Sequence, residues 1–152
     1  MTQIRADRDP PSFAYFALMA CWTSGMIGMA RIGEHKFQPF TLGEGLSYAL
    51  ATHGLARIAS TETITLPLRS PFVDREYKDD GECIETPRGT GLRKAIGELV
   101  TCPYCCSTWA AAMFMAGRLI RPKATRVLMN VIAAGAAANM LHRAFTALEK
   151  SR

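Results

Sequence analysis

The amino-acid sequence predicts an all-α protein that crosses a membrane several times. Four apolar stretches recur along the 152 residues, each long enough for a helix of roughly five turns. Charged residues are segregated between these stretches, so the mean hydropathy of +0.05 averages two very different kinds of segment. Apolar residues make up 49% of the chain, at the upper end of the globular range. We therefore expect a multi-pass transmembrane helical bundle with four spans and one short interfacial helix, in a single membrane domain over residues 1–152.

The first apolar stretch, residues 12–30, contains no charged residue. At 1.5 Å rise per residue it is roughly 28 Å long, close to the hydrocarbon thickness of a bilayer. Ala20, Ser24 and Gly28 recur every four residues, a pattern suited to close helix packing. The alternative is a secretory signal peptide, with two arginines near the N-terminus as its basic region. The aspartates beside those arginines and the length of the apolar core argue against it.

The second stretch, residues 42–60, is the weakest of the four. It carries Glu44 near one end, and His53 and Arg57 near the other. It crosses a membrane only if Glu44 and Arg57 reach the interfaces or face the other helices. The alternative is an amphipathic helix that lies on the membrane surface.

The third and fourth spans are predicted over residues 103–120 and 127–145. Pro103 suits the first position of a helix, where its missing N–H costs nothing. In the fourth span, Ala134 and Ala138 lie in a run of very small residues that favours close contact between helices.

The hydrophilic segment at residues 69–94 separates the second and third spans. It mixes basic and acidic residues with prolines and glycines, so it buries little apolar surface and is expected to be a mobile cytoplasmic loop. After it, Leu92, Ile96 and Leu99 share one helix face, which predicts the short interfacial helix.

The distribution of charge predicts the orientation of the chain. The net charge is +5, but the 18 Lys and Arg residues lie between and beside the apolar stretches and form no basic face, which disfavours nucleic acid as a partner. With four spans, placing both termini and the long loop inside gives that side twice as many Lys and Arg residues as the other. We therefore expect both termini in the cytoplasm. The partners would be the lipid bilayer and other membrane proteins or further copies of this chain.

The five cysteines indicate where chemistry could occur. Their number is odd, and Cys102, Cys105 and Cys106 crowd together, which is not a secreted disulfide framework. Cys102 and Cys105 are three residues apart at the expected start of a helix, where the helix dipole favours a thiolate. Cys83 lies in the hydrophilic segment.

Three interpretations of these cysteines remain open. Cys102 and Cys105 could exchange a disulfide, although their match to the glutaredoxin Cys-Pro-Tyr-Cys tetrapeptide lacks the strand and the downstream segments of that fold. They could bind zinc or iron with help from Cys83 or Cys106, or from a second chain. They could also be structural residues that pack at a helix start.

Arg57 is expected to have an acidic partner, since an arginine within a membrane usually does. Glu62 and Glu98 are the two candidates. Such a pair would fix the packing of helices and would not carry out catalysis.

The central part of the chain resembles a known family. The residues that carry the resemblance are the runs Leu55–Ala59, Glu62–Thr65, Leu68–Phe72 and Gly89–Leu99, followed by Cys102-x-x-Cys105-x-x-x-Trp109. Together they resemble small bacterial membrane proteins catalogued as a domain of unknown function (number 1360), some of them described as sporulation membrane proteins. The resemblance covers about residues 50 to 120, and the first and last spans lie largely outside it. It implies a membrane location and no established activity.

The function expected from these observations is that of a small protein of the bacterial inner (cytoplasmic) membrane. The leading hypothesis is a non-enzymatic scaffold or accessory subunit of a membrane complex. The alternative is a membrane thiol-redox or metal-binding protein centred on Cys102 and Cys105.

Overall fold

The computed structural model describes residues 12–36, 39–77 and 83–150. Most of these residues are helical, which confirms the predicted helical class. In chain order the elements are α1 (Ser12–Lys36), α2 (Leu42–Thr61), a 3-10 turn (Thr63–Thr65), α3 (Leu66–Arg69), β1 (Val73–Tyr77), β2 (Cys83–Pro87), α4 (Gly91–Thr101), α5 (Pro103–Ile120) and α6 (Pro122–Lys150). The two N-terminal arginines used for the topology and for the signal-peptide alternative lie outside the described residues.

In the part of the chain that the structure describes, two helices are long and apolar enough to cross a membrane: α1 over Phe13–Glu34 and α6 over Pro122–Lys150. Helices α4 and α5 are bent by 89° at the break between them, and they add a third span if the bent pair is counted as one. The structure therefore supports a helical membrane protein with two or three spans. It does not confirm the predicted four, because α2 alone is too polar.

Helix α2 is nevertheless the central helix of the bundle. It packs against both α5 and α6, and its Ala51 is fully buried in a core formed with Phe114, Met129 and Ala133. The Tyr48 hydroxyl donates a 2.6 Å hydrogen bond to the Ala111 carbonyl of α5. A helix surrounded by other helices needs less apolar surface than one that faces lipid, so low hydropathy and a central position are compatible.

Contacts near the two ends of α2 show how the helices run. Near its N-terminal end, Glu44 contacts Arg118, late in α5, and Arg126, early in α6. Near its C-terminal end, Arg57 lines two cavities, and Arg143, late in α6, lines both of them as well. One of these cavities is also lined by the first residues of α5. Helix α2 is therefore antiparallel to α5 and parallel to α6.

The hydrophilic segment is folded wherever the structure describes it, which differs from the expected mobile loop. Strands β1 and β2 form an antiparallel hairpin in which Val73 pairs with Pro87 and Tyr77 pairs with Cys83. Residues 78–82, between the strands, lie outside the described residues. We call the described part of residues 62–101 the head. It contains the hairpin together with α3 and α4.

Helix α4 holds the hairpin through one very close contact. A Cβ atom at Gly97 would lie 2.5 Å from the Phe72 carbonyl oxygen and 3.1 Å from the Pro87 Cβ. On the same side, the Arg93 Nε donates a 2.7 Å hydrogen bond to the Pro71 carbonyl. Only glycine allows α4 to approach the hairpin backbone this closely.

The substitution Gly97→Ala tests this contact. We expect it to lower the free energy of unfolding by about 1–3 kcal/mol, because the new methyl group forces α4 away from the hairpin. The control is Gly45→Ala in α2, where a Cβ meets nothing within 4 Å. That change should be neutral or stabilising by up to about 1 kcal/mol. Thermal unfolding of the full chain in detergent measures both, and equal stability of the two variants would contradict the proposed contact.

Candidate functional site

Cys102 lies in the break between α4 and α5 and caps α5. Its backbone is extended (φ −100°, ψ 106°), and its Sγ accepts a 3.3 Å hydrogen bond from the Cys105 N–H. Pro103 takes the first helical position, as its sequence position predicts. The two thiols thus lie on the first turn of α5, at a spacing that a disulfide can bridge with little movement.

A groove of about 770 Å³ opens beside these two cysteines. Its walls come from the N-terminal half of α1, from α4 and from the first turns of α5, and they are mostly apolar and aromatic. The lining residues include Tyr15, Trp22, Leu99, Tyr104 and Trp109. The Trp22 Nε1 is buried and has no hydrogen-bond partner among the described residues. The lining of the groove therefore suits an apolar occupant.

The other cysteines of the predicted site do not line this groove. Cys106 Sγ lies 3.2 Å from the Leu99 carbonyl oxygen, so this thiol satisfies the last turn of α4 and stabilises the bend. Cys83 lies on β2 in the hairpin. All the described cysteines are free thiols, and in the described ranges no three His, Cys, Asp or Glu residues lie close enough together to bind a metal ion. Cys102 and Cys105 therefore supply two ligands of any metal site, and the rest would come from elsewhere.

Arg69 is the most deeply buried charged residue in the described part of the chain, with 2% of its surface exposed. Its Nη1 donates hydrogen bonds to the Ala59 and Glu62 carbonyls and to the Thr65 hydroxyl, at 2.8–3.1 Å. Its Nη2 donates to Glu85 Oε1 at 2.9 Å. Arg69 therefore joins the end of α2 to the hairpin.

Glu85 is shared between two arginines. Arg75, its cross-strand neighbour, donates to the same Oε1 from Nε at 3.1 Å and from Nη2 at 3.0 Å. Burial raises the pKa of Glu85, but the hydrogen bonds and charges of Arg69 and Arg75 outweigh burial and leave the pKa below its ordinary value. The carboxylate is therefore ionised whenever the head is folded near neutral pH.

The sequence predicts neither Arg69 nor Glu85 as a functional residue. The two are 16 residues apart, and Glu85 stands among charged residues of both signs. Arg69 lies in Leu68–Phe72, one of the runs that carry the family resemblance, but this does not identify its partner.

The predicted partner of Arg57 is Glu62, whose Oε1 lies 3.8 Å from Arg57 Nη2. Both side chains are substantially exposed, at 32% and 47%, so the pair contributes little stability. Glu98, the other candidate, instead lines the groove beside Cys102.

The residues predicted for helix packing face outward in the single chain. Ala20, Ser24, Ala134 and Ala138 are exposed, and a Cβ at Gly28 meets nothing within 4 Å. Their packing therefore stays a prediction about a second chain or another protein. Within the chain, α6 packs on α2 through different small residues, where a Cβ at Gly54 would lie 3.1 Å from the Ala136 Cβ.

Glu85→Gln tests the pairing in the head. The variant leaves Arg69 buried without a carboxylate, and we expect the free energy of unfolding at neutral pH to fall by about 3 kcal/mol. Because the folded-state pKa of Glu85 lies below the ordinary 4.5, the ionised carboxyl stabilises the fold above that value. This stabilisation is lost as the pH falls through the lowered pKa.

The difference in stability between the wild type and Glu85→Gln should therefore stay constant down to about pH 4.5 and shrink below it. Thermal unfolding in detergent at a series of pH values measures this difference. Glu76→Gln is the matched control, since Glu76 lies exposed on the same hairpin. A difference that does not change with pH, or an equal loss in the control, would refute the pairing.

Comparison with known proteins gives two findings. The family described as "Protein of unknown function (DUF1360)" matches residues 48–145. The sporulation protein YjcA of Bacillus subtilis (strain 168) is 36% identical over 97 residues, which is 61% of this chain and 82% of the relative. No solved structure matches.

The match corrects the extent of the resemblance seen in the sequence. It begins within α2 and includes most of α6, so the expectation that the last helix lies largely outside the family is wrong. The sequence of α6 is rich in alanine, so it offers few distinctive residues by which a family resemblance can be recognised. The match includes the head, Cys102 and Cys105, and it leaves out α1. The chain belongs to the DUF1360 family, whose function is unknown.

Proposed function

We propose that this protein is a non-enzymatic accessory subunit or scaffold of a complex in the bacterial inner membrane. Helices α1, α2, α5 and α6 cross the membrane in this proposal, and the head and both termini lie on the cytoplasmic side. The observation that carries the proposal is the folded head, which Arg69 fixes to one end of an apolar helical bundle through its hydrogen bond to the Ala59 carbonyl of α2.

The outer surfaces of the long helices support a membrane location. Large apolar side chains are exposed along α1 and α6, including Phe13, Phe16, Val131 and Leu141. Only 6% of the apolar window of α1 and 22% of that of α6 is buried. Surfaces of this kind are stable against lipid and unstable against water.

The 89° bend supports the proposed position of α4 on the membrane surface. If α5 crosses the bilayer, α4 runs roughly along its surface. Helix α4 is amphipathic, with Leu92 exposed on its apolar side and Arg93 exposed on its polar side. Such a helix is stable at an interface, with its apolar face toward the lipid.

The hairpin offers the surface for a partner. Its inner face carries the Arg75–Glu85 pair, while Asp74 and Glu76 alternate onto the outer face and are exposed. The Asp74 Oδ1 lies 3.2 Å from the Nε of Arg88, so the proposed contact uses Glu76. Its exposed carboxylate fits a partner with basic residues at the membrane surface, because complementary charge favours specific association. The name of the B. subtilis relative makes complexes formed during sporulation the first place to look for this partner.

A thiol-redox protein is the second candidate, because Cys102 and Cys105 lie together at the wall of the groove. Binding of zinc or iron belongs to the same candidate, and it would need ligands from a second chain. Neither alternative needs the outer face of the hairpin, so the two candidates can be separated by substitution.

Glu76→Lys tests the proposed partner surface. We expect the tagged full chain, pulled down from native membranes after mild cross-linking, to recover its partner about tenfold less well with this change, a loss of roughly 1.4 kcal/mol. Glu149→Lys is the matched control, since it makes the same charge reversal at an exposed position near the end of α6. Unchanged recovery with Glu76→Lys, or equal loss with both variants, would contradict the proposal.

The double variant Cys102→Ser, Cys105→Ser separates the two candidates. The accessory role predicts that partner recovery equals that of the wild type, since the hairpin lies outside the groove. The redox or metal role predicts loss of function, together with a reversible disulfide or, for a metal shared between two copies of the chain, about one metal ion per two thiol pairs in the wild type. Cys21→Ser, on α1, is the control for loss of an exposed thiol.

A further inference from the structure

Two carboxylates among the described residues each hold a pair of arginines. They are Glu85, which holds Arg69 and Arg75, and Glu44, which holds Arg118 and Arg126. A third pair of arginines, Arg57 and Arg143, lines two cavities beside the last turns of α2, and the positive charge of this pair is incompletely neutralised. Glu62 lies at 3.8 Å from Arg57, and no ion pair or hydrogen bond with a described residue engages the Arg143 guanidinium.

The two cavities adjoin the last turns of α2. One, of about 410 Å³, lies between α2 and α6, and the other, of about 730 Å³, includes the first turns of α5. His53, Arg57 and Arg143 line both. His53 and Arg57 are four residues apart on one face of α2, while Arg143 comes from α6. Among the described residues, Glu62 is the one carboxylate that lines these cavities, and it lines the smaller of the two.

Neutral polar groups complete this lining. The Thr52 Oγ1 is buried and has no hydrogen-bond partner among the described residues, and Thr52 lines the larger cavity. Asn139 lines the smaller cavity. These neutral polar groups and the spare positive charge of the arginines together favour an oxygen-rich ligand.

The surroundings of the site are apolar. Ile58, Val131 and Met140 line the smaller cavity and are exposed on its side of the bundle. An arginine next to lipid hydrocarbon is stable only with an anionic partner. A ligand that satisfies the site therefore has an anionic group for the arginines and apolar chains for the flank.

We propose that Arg57 and Arg143 bind the phosphate group of an anionic phospholipid, with its acyl chains along the apolar side of α2 and α6. The guanidinium group matches phosphate oxygens through paired hydrogen bonds. The site lies at the end of the bundle that carries the head. This location rests on the proposed membrane orientation, which puts that end at the cytoplasmic leaflet, where anionic lipids are found.

Native mass spectrometry of the full chain in detergent tests this proposal. Phosphatidylglycerol and phosphatidylcholine of identical acyl chains are titrated separately, and a third titration uses inorganic phosphate. We expect phosphatidylglycerol to bind about tenfold more tightly than phosphatidylcholine, since charge-assisted hydrogen bonds favour the anionic lipid. Binding of inorganic phosphate that is weaker than binding of phosphatidylglycerol would support the lipid as the ligand. Equal or tighter binding of phosphate would overturn the lipid in favour of a free anion.

Arg57→Gln and Arg143→Gln should each reduce the preference for phosphatidylglycerol about tenfold. Arg121→Gln, which removes one exposed arginine at the opposite end of the bundle, should leave the preference unchanged. Arg143→Lys keeps the charge and should retain part of the binding, which separates a binding defect from misfolding. An equal effect of the Arg121 control, or no preference in the wild type, would overturn the proposal. Because purified protein is used without a partner, failure here leaves the partner experiment with Glu76 unaffected.

Discussion

The burial of one guanidinium, that of Arg69, is the constraint on which the arrangement of the head depends. A charge this deeply buried is stable only when it is paired and hydrogen bonded. Its partners come from the end of α2, from the Thr65 hydroxyl and from Glu85 on β2. These bonds bring β2 to the end of α2, and β2 packs on α4 where Gly97 permits it. The position of α4, and with it the bend at Cys102, follows from where Arg69 finds its carboxylate.

A similar interaction fixes the opposite end of the bundle. The Glu44 side chain accepts a hydrogen bond from the backbone N–H of Thr41, the N-cap of α2. Glu44 also forms ion pairs with Arg126 at 2.9 Å and with Arg118 at 3.6 Å. The Arg118 guanidinium lies 4.4 Å from the centre of the Phe40 ring. One of the charges that lower the hydropathy of α2, that of Glu44, therefore joins this helix to α5 and α6. Hydropathy measures the apolar character of a segment, and it does not show which of its charges are paired with neighbouring helices.

The long helices and the cap of α5 are predictable from sequence, because apolar runs and Pro103 act locally. The hairpin is not, because its stability depends on an ion pair between residues 16 apart. Mixed charge with glycine and proline is typical of a mobile segment. The hairpin folds because particular charges pair, and the sequence does not show that Arg69 and Arg75 share Glu85. The pair Arg57–Glu62 is predictable because its two residues are only five apart in the sequence.

The groove beside Cys102 is built from two parts with different relations to the family. The wall formed by α4 and α5 lies within the family match, whereas the wall formed by Tyr15 and Trp22 on α1 lies outside it. The residues that the family match shares with this chain therefore include the thiols and the head, and the aromatic wall supplied by α1 is not among them. Cys102 and Cys105 lie at the start of α5, next to the head. Under the proposed accessory role, this end of the bundle is the part of the fold that meets the partner.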